Sequence, residues 1–367
     1  MILKRITILN YKNIKEAELE FSPKFNCFIG NNGEGKTNFL DSIYFLSFTK
    51  SSTSPSDNLC IRHGQQTLML QAEYKSNDDI EEITCGIKVG IKKTFKRNKK
   101  AYKRMSEHIG LIPLVMISPY DTELISGGSE NRRKFIDTVI SQYDRTYLTS
   151  LIKYNNALMQ RNAMLKAELD PNESILEIYE EIMAEEGERL YKTRKKFIDE
   201  FTPVFNKYHK QITQQCEEVE IEYTSHCTRG PLLNTIRQSR IADRSVGYSL
   251  HGIHKDELNI NLASFPIKRE GSQGQNKSCL IALKLAQYEF LKQTQSGTSP
   301  ILLLDDIFDK LDTHRVQRII DIVSGDTFGQ VFITDTNRMH LDTLLETQKS
   351  ENKKVFRVED GKAIAIT

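Results

Sequence analysis

The residues best placed to do chemistry are the run Gly30-Asn31-Asn32-Gly33-Glu34-Gly35-Lys36-Thr37-Asn38 and the pair Asp305-Asp306. The first reads G-x-x-x-x-G-K-T. Its glycines let successive backbone N–H groups turn toward an anion, its lysine supplies a point charge between β- and γ-phosphates, and the hydroxyl of Thr37 can ligate Mg²⁺. The second ends the apolar run Pro300-Ile301-Leu302-Leu303-Leu304. Two adjacent acids at the tip of a buried strand have little structural reason, because unpaired buried charge is costly. Asp305 is expected to hold Mg²⁺, directly or through water, opposite Thr37, and Asp306 to orient or deprotonate an attacking water. Lys36, Asp305 and Asp306 form the expected catalytic set.

These groups need elements that aim them. Phe25 to Ile29 reads as a strand entering the phosphate loop, and Phe39, Leu40, Ile43, Phe45 and Leu46 recur at helical spacing behind it. Strand, loop and helix in that order favour nucleotide binding over a chance glycine-rich turn. Ile2 to Leu9 and Ile14 to Phe21 read as paired strands joined by Asn10-Tyr11-Lys12-Asn13. Lys12 is within reach of a base or phosphate, and on spacing alone is equally a solvated turn lysine.

A second helix start is expected at Gly271-Ser272-Gln273-Gly274-Gln275-Asn276-Lys277, where Ser272 stands at or near the N-cap, Gly274 allows close approach, and an apolar-periodic segment from Leu280 follows. Lys310-Leu311-Asp312 opens another helix that Asp312 caps. Gln330 to Asp335 reads as a further core strand, and Val355 to Ile366 as a hairpin around Asp360-Gly361.

Between the two sets of motifs lie a sheet and a helical insert. Thr67 to Tyr74, Ile80 to Val89 and Ile91 to Phe95 form an antiparallel sheet beside the nucleotide core. From Lys88 to Arg104 every charge is positive, including Lys96, Arg97, Lys99, Lys100, Lys103 and Arg104, with Phe95 and Tyr102 interleaved. Such a block is a footprint for a phosphate backbone, against the plainer reading of lysines that discourage edge pairing. Ser129 to Cys216 has helical pattern, with Ser129 as an N-cap and Pro171 and Pro203 as breaks, which limits it to a short arm at about 1.5 Å per residue. Pro231 to Val246 reads as one more helix. Arg132 and Arg133 are candidate DNA or partner contacts, against the plainer reading of a wet helix face, and the His, Lys and Asp of the loop His251 to Glu257 could serve a γ-phosphate or DNA, against the favoured plain reading of a structural turn. The chain divides into 1–128, 129–246 and 247–367.

The 367 residues exceed one ordinary core, and 38% hydrophobic with 27% charged residues describes a globular chain. A net charge of +2 decides nothing about partners. The six cysteines (Cys27, Cys60, Cys85, Cys216, Cys227 and Cys279) form no C-x-x-C pair and read as reduced, mostly buried thiols. No signal peptide or membrane span is expected.

The order of parts is the layout of ATPases of the ABC and SMC type. The strand-turn-strand opening, the phosphate loop, Arg132-Arg133-Lys134-Phe135-Ile136-Asp137, His251 to Glu257, the S-x-G-Q helix and the Asp305-Asp306 strand together resemble the RecF family of bacterial recombination mediators over nearly the whole chain. The resemblance implies an α/β fold: an ABC-type P-loop ATPase head, with a mixed sheet, flanking helices and an antiparallel β-subdomain, carrying an inserted short helical arm lobe. It implies ATP and Mg²⁺ as cofactors, an ATP-sandwiched homodimer in which Ser272, Gly274 and Gln275 face the partner's nucleotide and Asp312 crosses to the partner, and weak, DNA-stimulated hydrolysis. It further implies binding to single-stranded, gapped or junction DNA, action with RecR and RecO to load RecA, and a cytoplasmic, nucleoid-associated protein. A structural DNA clamp of SMC type is the alternative. Two departures stand out: Ile253, Lys255 and Glu257 replace the family's usual residues in G-P-H-R-D-D, and no switch histidine stands near Thr334-Asp335.

Overall fold

The computed structural model describes all residues except 77–78, 170, 215–216, 264, 296–297, 309–310, 337–348 and 367. The chain forms two compact units, one of residues 1–121 with 281–367 and one of residues 122–280.

The first unit holds two sheets. One runs in the order β2 (Ile14–Glu20), β1 (Ile2–Tyr11), β4 (Thr67–Ser76), β5 (Asp79–Lys88), β6 (Ile91–Arg97), β7 (Lys100–Ala101), with every neighbouring pair antiparallel. Alternation puts Leu68, Leu70, Ala72 and Tyr74 of β4 on the buried face. In β1 a register shift between Leu3 and Arg5 interrupts that alternation, which is why Leu3 and Ile6, three apart, are both buried.

The other sheet runs β15 (Lys362–Ala365), β14 (Lys353–Glu359), β3 (Phe25–Ile29), β13 (Val331–Asp335), β12 (Ile301–Asp305), β8 (Leu114–Ile117), parallel throughout except for β14 with β15. All five residues of β12 and all five of β13 are buried. Strands covered on both faces read as continuous apolar runs, which accounts for Ile301-Leu302-Leu303-Leu304. Phe21, Phe28, Phe332 and Phe356 pack ring against ring between the sheets, and α1 (Lys36–Phe48) buries Phe39, Leu40, Ile43, Phe45 and Leu46. Gln330, 2% exposed, bonds both the N–H and C=O of Leu3 and the C=O of Ser22, joining the sheets through one side-chain amide. Helix α10 (Thr313–Ser324) buries Val316, Ile319, Ile320 and Val323 at helical spacing.

The second unit is mostly helical: α2 (Glu123–Ser126), α3 (Ser129–Tyr143), α4 (Arg145–Lys166), α5 (Glu173–Thr213), α6 (Leu232–Gln238), α7 (Arg240–Val246) and α8 (Ile267–Glu270), with β9 (Val219–Thr224), β10 (Glu257–Leu262) and β11 (Phe265–Pro266) forming a small antiparallel sheet. Helix α9 (Gln273–Thr294) begins here and continues into the first unit.

Three local expectations change. Pro203 does not break the arm; α5 runs through it for 41 residues. Proline removes its own donor and crowds the carbonyl four residues back, but that carbonyl belongs to Asp199 on the exposed face, where the helix can yield and water can take the freed acceptor, while Phe197, Phe201, Phe205 and Tyr208 keep the opposite face buried. Ser129 is the first residue of α3 and Gly128 is its N-cap; the Ser129 hydroxyl bonds Glu257 instead. Residues 231–246 split at Ser239 into α6 and α7. Cys27, Cys60, Cys85 and Cys279 are buried, Cys227 is partly exposed, and Cys216 lies outside the described residues. Among the described residues no helix is long and apolar enough to cross a membrane.

Candidate nucleotide site

Strand β3 delivers the chain into Gly30 to Gly35, and α1 begins at Lys36 with Gly35 as N-cap at φ +102°. No side chain caps that helix, so its first N–H groups face outward for an anion. Two glycines are required by contact. A Cβ on Gly35 would lie 2.4 Å from Asn13 Nδ2, and one on Gly30 would lie 2.4 Å from the carbonyl oxygen of Val358 in β14. Lys36 Nζ donates to the carbonyls of Gly30 and Asn31, 2.8 Å each, at the throat of the loop. Burial lowers its pKa, opposed by the charges of Asp306, Asp305, Asp335 and Glu34.

The strand order sets β13 between β3 and β12, so the tips of all three converge. Thr37 Oγ1 donates to Asp305 Oδ1 at 3.0 Å, and Thr334 Oγ1 donates to the same oxygen at 2.7 Å. Burial pushes the pKa of Asp305 up, and the two hydroxyls pull against it. Asp306 follows in a left-handed backbone, φ +48°. A threonine hydroxyl and a carboxylate oxygen at this spacing suit a hard, oxygen-seeking cation such as Mg²⁺, which takes few protein ligands alongside phosphate and water.

The loop is braced from both ends of the chain. Asn13 Nδ2 and Gly361 N–H both donate to the carbonyl of Glu34, at 3.1 and 3.0 Å, and Asp360 N–H donates to Glu34 Oε2 at 2.6 Å. Asn38 Nδ2 donates to Asn13 Oδ1. Sequence reasoning read Asp360-Gly361 only as a hairpin turn and gave Asn13 and Thr334 no role; no local pattern marks groups whose partners stand on other elements, 21 residues away for Asn13, 29 for Thr334 and 326 for Asp360.

Lys12 lies beside this site with its ammonium committed: Nζ donates to Asp41 Oδ2 and Thr53 Oγ1, 2.5 Å each. Asp41, fully buried on α1, also accepts from Tyr11, Ser51 and Ser52. Burial works to raise the pKa of Asp41, but Lys12 and the serine hydroxyls outweigh it and hold it below the usual carboxylate range.

In the second unit, Ser272 N–H donates to Gln275 Oε1 and Gln275 N–H donates to Ser272 Oγ, a reciprocal capping box at the start of α9. Gly274 stands in the first turn of that helix. Asp312 caps α10 by accepting from Arg315 N–H, which lowers its pKa; Lys310 lies outside the described residues.

Of the basic block, Lys88, Lys92, Lys96, Lys99, Lys100, Lys103 and Arg104 are exposed at one edge of the antiparallel sheet. Lys93 and Arg97 are not free: Lys93 pairs with Asp57, and Arg97 binds Glu81 through two nitrogens. The aromatics between them serve the core. Phe95 is fully buried, and Tyr102 hydrogen-bonds His108.

The loop His251 to Glu257 belongs to the core of the second unit. Arg194, 2% exposed, binds Asp137 and Asp256, while Tyr223 donates to Asp256 and Tyr154 bonds His254 Nδ1. Burial pushes the pKa of Asp256 up, against Tyr223 and Arg194. Arg133 donates to the carbonyl of Asp256 and Arg132, 5% exposed, to that of Gly127, so both are committed inside the unit.

A parallel sheet with a phosphate loop on one strand, paired acids on another and an antiparallel sheet beside it defines the head of an ATPase of the ABC and SMC class. The family described as RecF/RecN/SMC N terminal domain matches residues 2–363. Proteins described as DNA replication and repair protein RecF are 58% identical over 362 residues in Phocaeicola vulgatus (98% of this chain, 97% of that protein) and 48% identical over 361 residues in Flavobacterium johnsoniae (98% and 100%). The chain belongs to the RecF family of DNA replication and repair proteins. A solved structure described as the recombination mediator protein RecF with ATP in the RecFOR pathway superposes with a TM-score of 0.89 at 30% identity, covering 100% of this chain and 98% of that one. An SMC head bound to the C-terminal winged helix domain of ScpA, 14% identical, shares the fold with a TM-score of 0.60 over 100% and 98%.

Proposed function

We propose that this protein is an ATP-driven DNA-binding switch of recombinational repair and replication. The observation that carries the reading is the meeting of Thr37 Oγ1 and Asp305 Oδ1 at 3.0 Å, across 268 residues of sequence, beside Lys36 and the bare start of α1. ATP enters as substrate: the N–H groups of Gly30 to Thr37 bind its phosphates, Lys36 turns from the loop carbonyls to the β- and γ-phosphates, and Lys12 joins from the neighbouring turn with Asp41 as counter-ion. Thr37 and Asp305 hold Mg²⁺, which when bound neutralises the phosphate oxygens. Asp306 takes the role of orienting and deprotonating water. Its side chain is one methylene shorter than the glutamate usual in this class, which fits slow turnover.

Ser272, Gly274 and Gln275 face the nucleotide of a second copy, with Asp312 crossing the same interface, so that two ATP molecules close a homodimer. Ser272 then exchanges its bond to the Gln275 amide for the γ-phosphate of the partner. ATP and dimerisation reinforce each other because linkage is reciprocal. Single-stranded, gapped or junction DNA lies along the exposed lysines of the β6–β7 edge, RecR and RecO act with the ATP-bound form in loading RecA, and hydrolysis releases it. Light scattering with and without Mg·ATP, on tailed DNA and on blunt duplex, tests this. A doubling of mass with Mg·ATP is expected, abolished in Ser272→Arg; a protein that stays monomeric at saturating Mg·ATP refutes the sandwich.

A further inference from the structure

We propose that Thr334 is the positioning residue of the acid pair, a role that rests on the ATPase reading above and adds a residue to it. Thr334 is 1% exposed, next to last in β13, and lies directly across the ladder from Asp305. Its single hydroxyl has two partners. It donates to Asp305 Oδ1 at 2.7 Å and accepts from Asp306 N–H at 3.0 Å; the Thr334 carbonyl accepts from the same N–H at 3.3 Å.

The double hold explains a backbone that is otherwise unfavourable. Asp306 sits at φ +48°, the left-handed region, which costs a non-glycine residue about 1 kcal/mol or more. Such a conformation persists where the surroundings over-determine it, and here one side chain and its own carbonyl fix the amide of Asp306. Through that amide Thr334 fixes the backbone conformation from which the side chain of the second acid leaves the strand. Because a hydroxyl has one proton, giving it to Asp305 leaves the oxygen's lone pairs for Asp306, so the two bonds orient one another. Thr37 has a further duty toward the metal, whereas Thr334 has none, which makes Thr334 the fixed member of the two hydroxyls on Oδ1. Valine has the same shape without the hydroxyl, and serine has the hydroxyl without the methyl.

The test uses the full-length protein with a fluorescent ATP analogue, first in EDTA and then through a Mg²⁺ titration, followed by single-turnover hydrolysis of ATP. Thr334→Val is expected to bind the analogue in EDTA within about threefold of wild type, to need about tenfold more Mg²⁺ for half-saturation, and to hydrolyse about 10–100-fold more slowly. Thr334→Ser is expected to restore both within about threefold. Should Thr334→Val fold poorly, Thr334→Ala measured against Thr334→Ser makes the same comparison without added bulk. Wild-type Mg²⁺ requirement and rate in the hydroxyl-free variant overturn the inference, as does equal impairment in Thr334→Ser, which would point to packing. A wild-type protein that neither binds nor hydrolyses Mg·ATP overturns the ATPase reading and this role together; normal wild-type turnover with an unaffected Thr334→Val overturns only this role.

Discussion

Thr37 and Asp305 stand 268 residues apart in sequence and 3.0 Å apart in space, the hydroxyl of one donating to the carboxylate of the other. That contact joins the first turn of α1 to the tip of β12, which is where the proposed function puts metal and triphosphate. Asp305→Asn keeps the shape and removes the charge. It is expected to leave nucleotide affinity in EDTA near wild type while weakening Mg²⁺-dependent binding at least about tenfold, measured by calorimetric titration with and without Mg²⁺.

Gly361 holds the outer side of the phosphate loop through the carbonyl of Glu34. Its φ is +72°, and an added Cβ would stand 2.7 Å from the carbonyl oxygen of Asn13. Gly361→Ala should therefore cost about 1–3 kcal/mol of stability and, by displacing the carbonyl of Glu34 in the phosphate loop, loosen ATP binding. Urea unfolding and analogue binding read the two effects separately.

Arg194 is the charge around which the second unit closes, with Asp137 and Asp256 as its partners. Arg194→Met would leave two carboxylates without a counter-ion in a buried setting. Removing one member of a buried pair costs about 3–5 kcal/mol, so this variant is expected to lose most of the unit's stability in denaturant. A change below 1 kcal/mol would show that the ion pair is idle.

His108 gives the first unit an acid limit. It is fully buried, its Nε2–H donates to the carbonyl of Leu46 while Nδ1 accepts from Tyr102, and burial lowers its pKa to about 4. The unfolded chain titrates near pH 6.5, so it takes up the proton first. Stability from the neutral ring is complete above about pH 6.5 and is lost as pH falls toward 4, on the order of 1–2 kcal/mol by pH 5.5. His108→Gln should flatten that slope between pH 7 and 5, followed by thermal unfolding.

Lys96, Lys99 and Lys100 are exposed on the basic edge, whereas Arg97 is bound to Glu81. Replacing the three lysines with alanine should lower the slope of log affinity against log salt by up to about 0.9 per lost duplex phosphate contact. Arg97→Ala should change it far less, because its charge is already neutralised.

The sequence by itself determined the parts whose chemistry is local. A glycine-rich turn between an apolar strand and a helix, two acids ending a buried strand, and Ser272 three residues before Gln275 each carry their geometry within a few residues, and the ATPase head follows from their order. It misread Pro203, where the cost of a missing donor depends on whether the freed carbonyl of Asp199 meets water, a fact of burial. Only the tertiary structure decided which group each charge meets. Lys12 goes to Asp41, Arg97 to Glu81 and Arg194 to Asp256, and the hydroxyl of Thr334 goes to both acids, because those partners come from separate strands and helices that the chain brings together only when its apolar faces are buried.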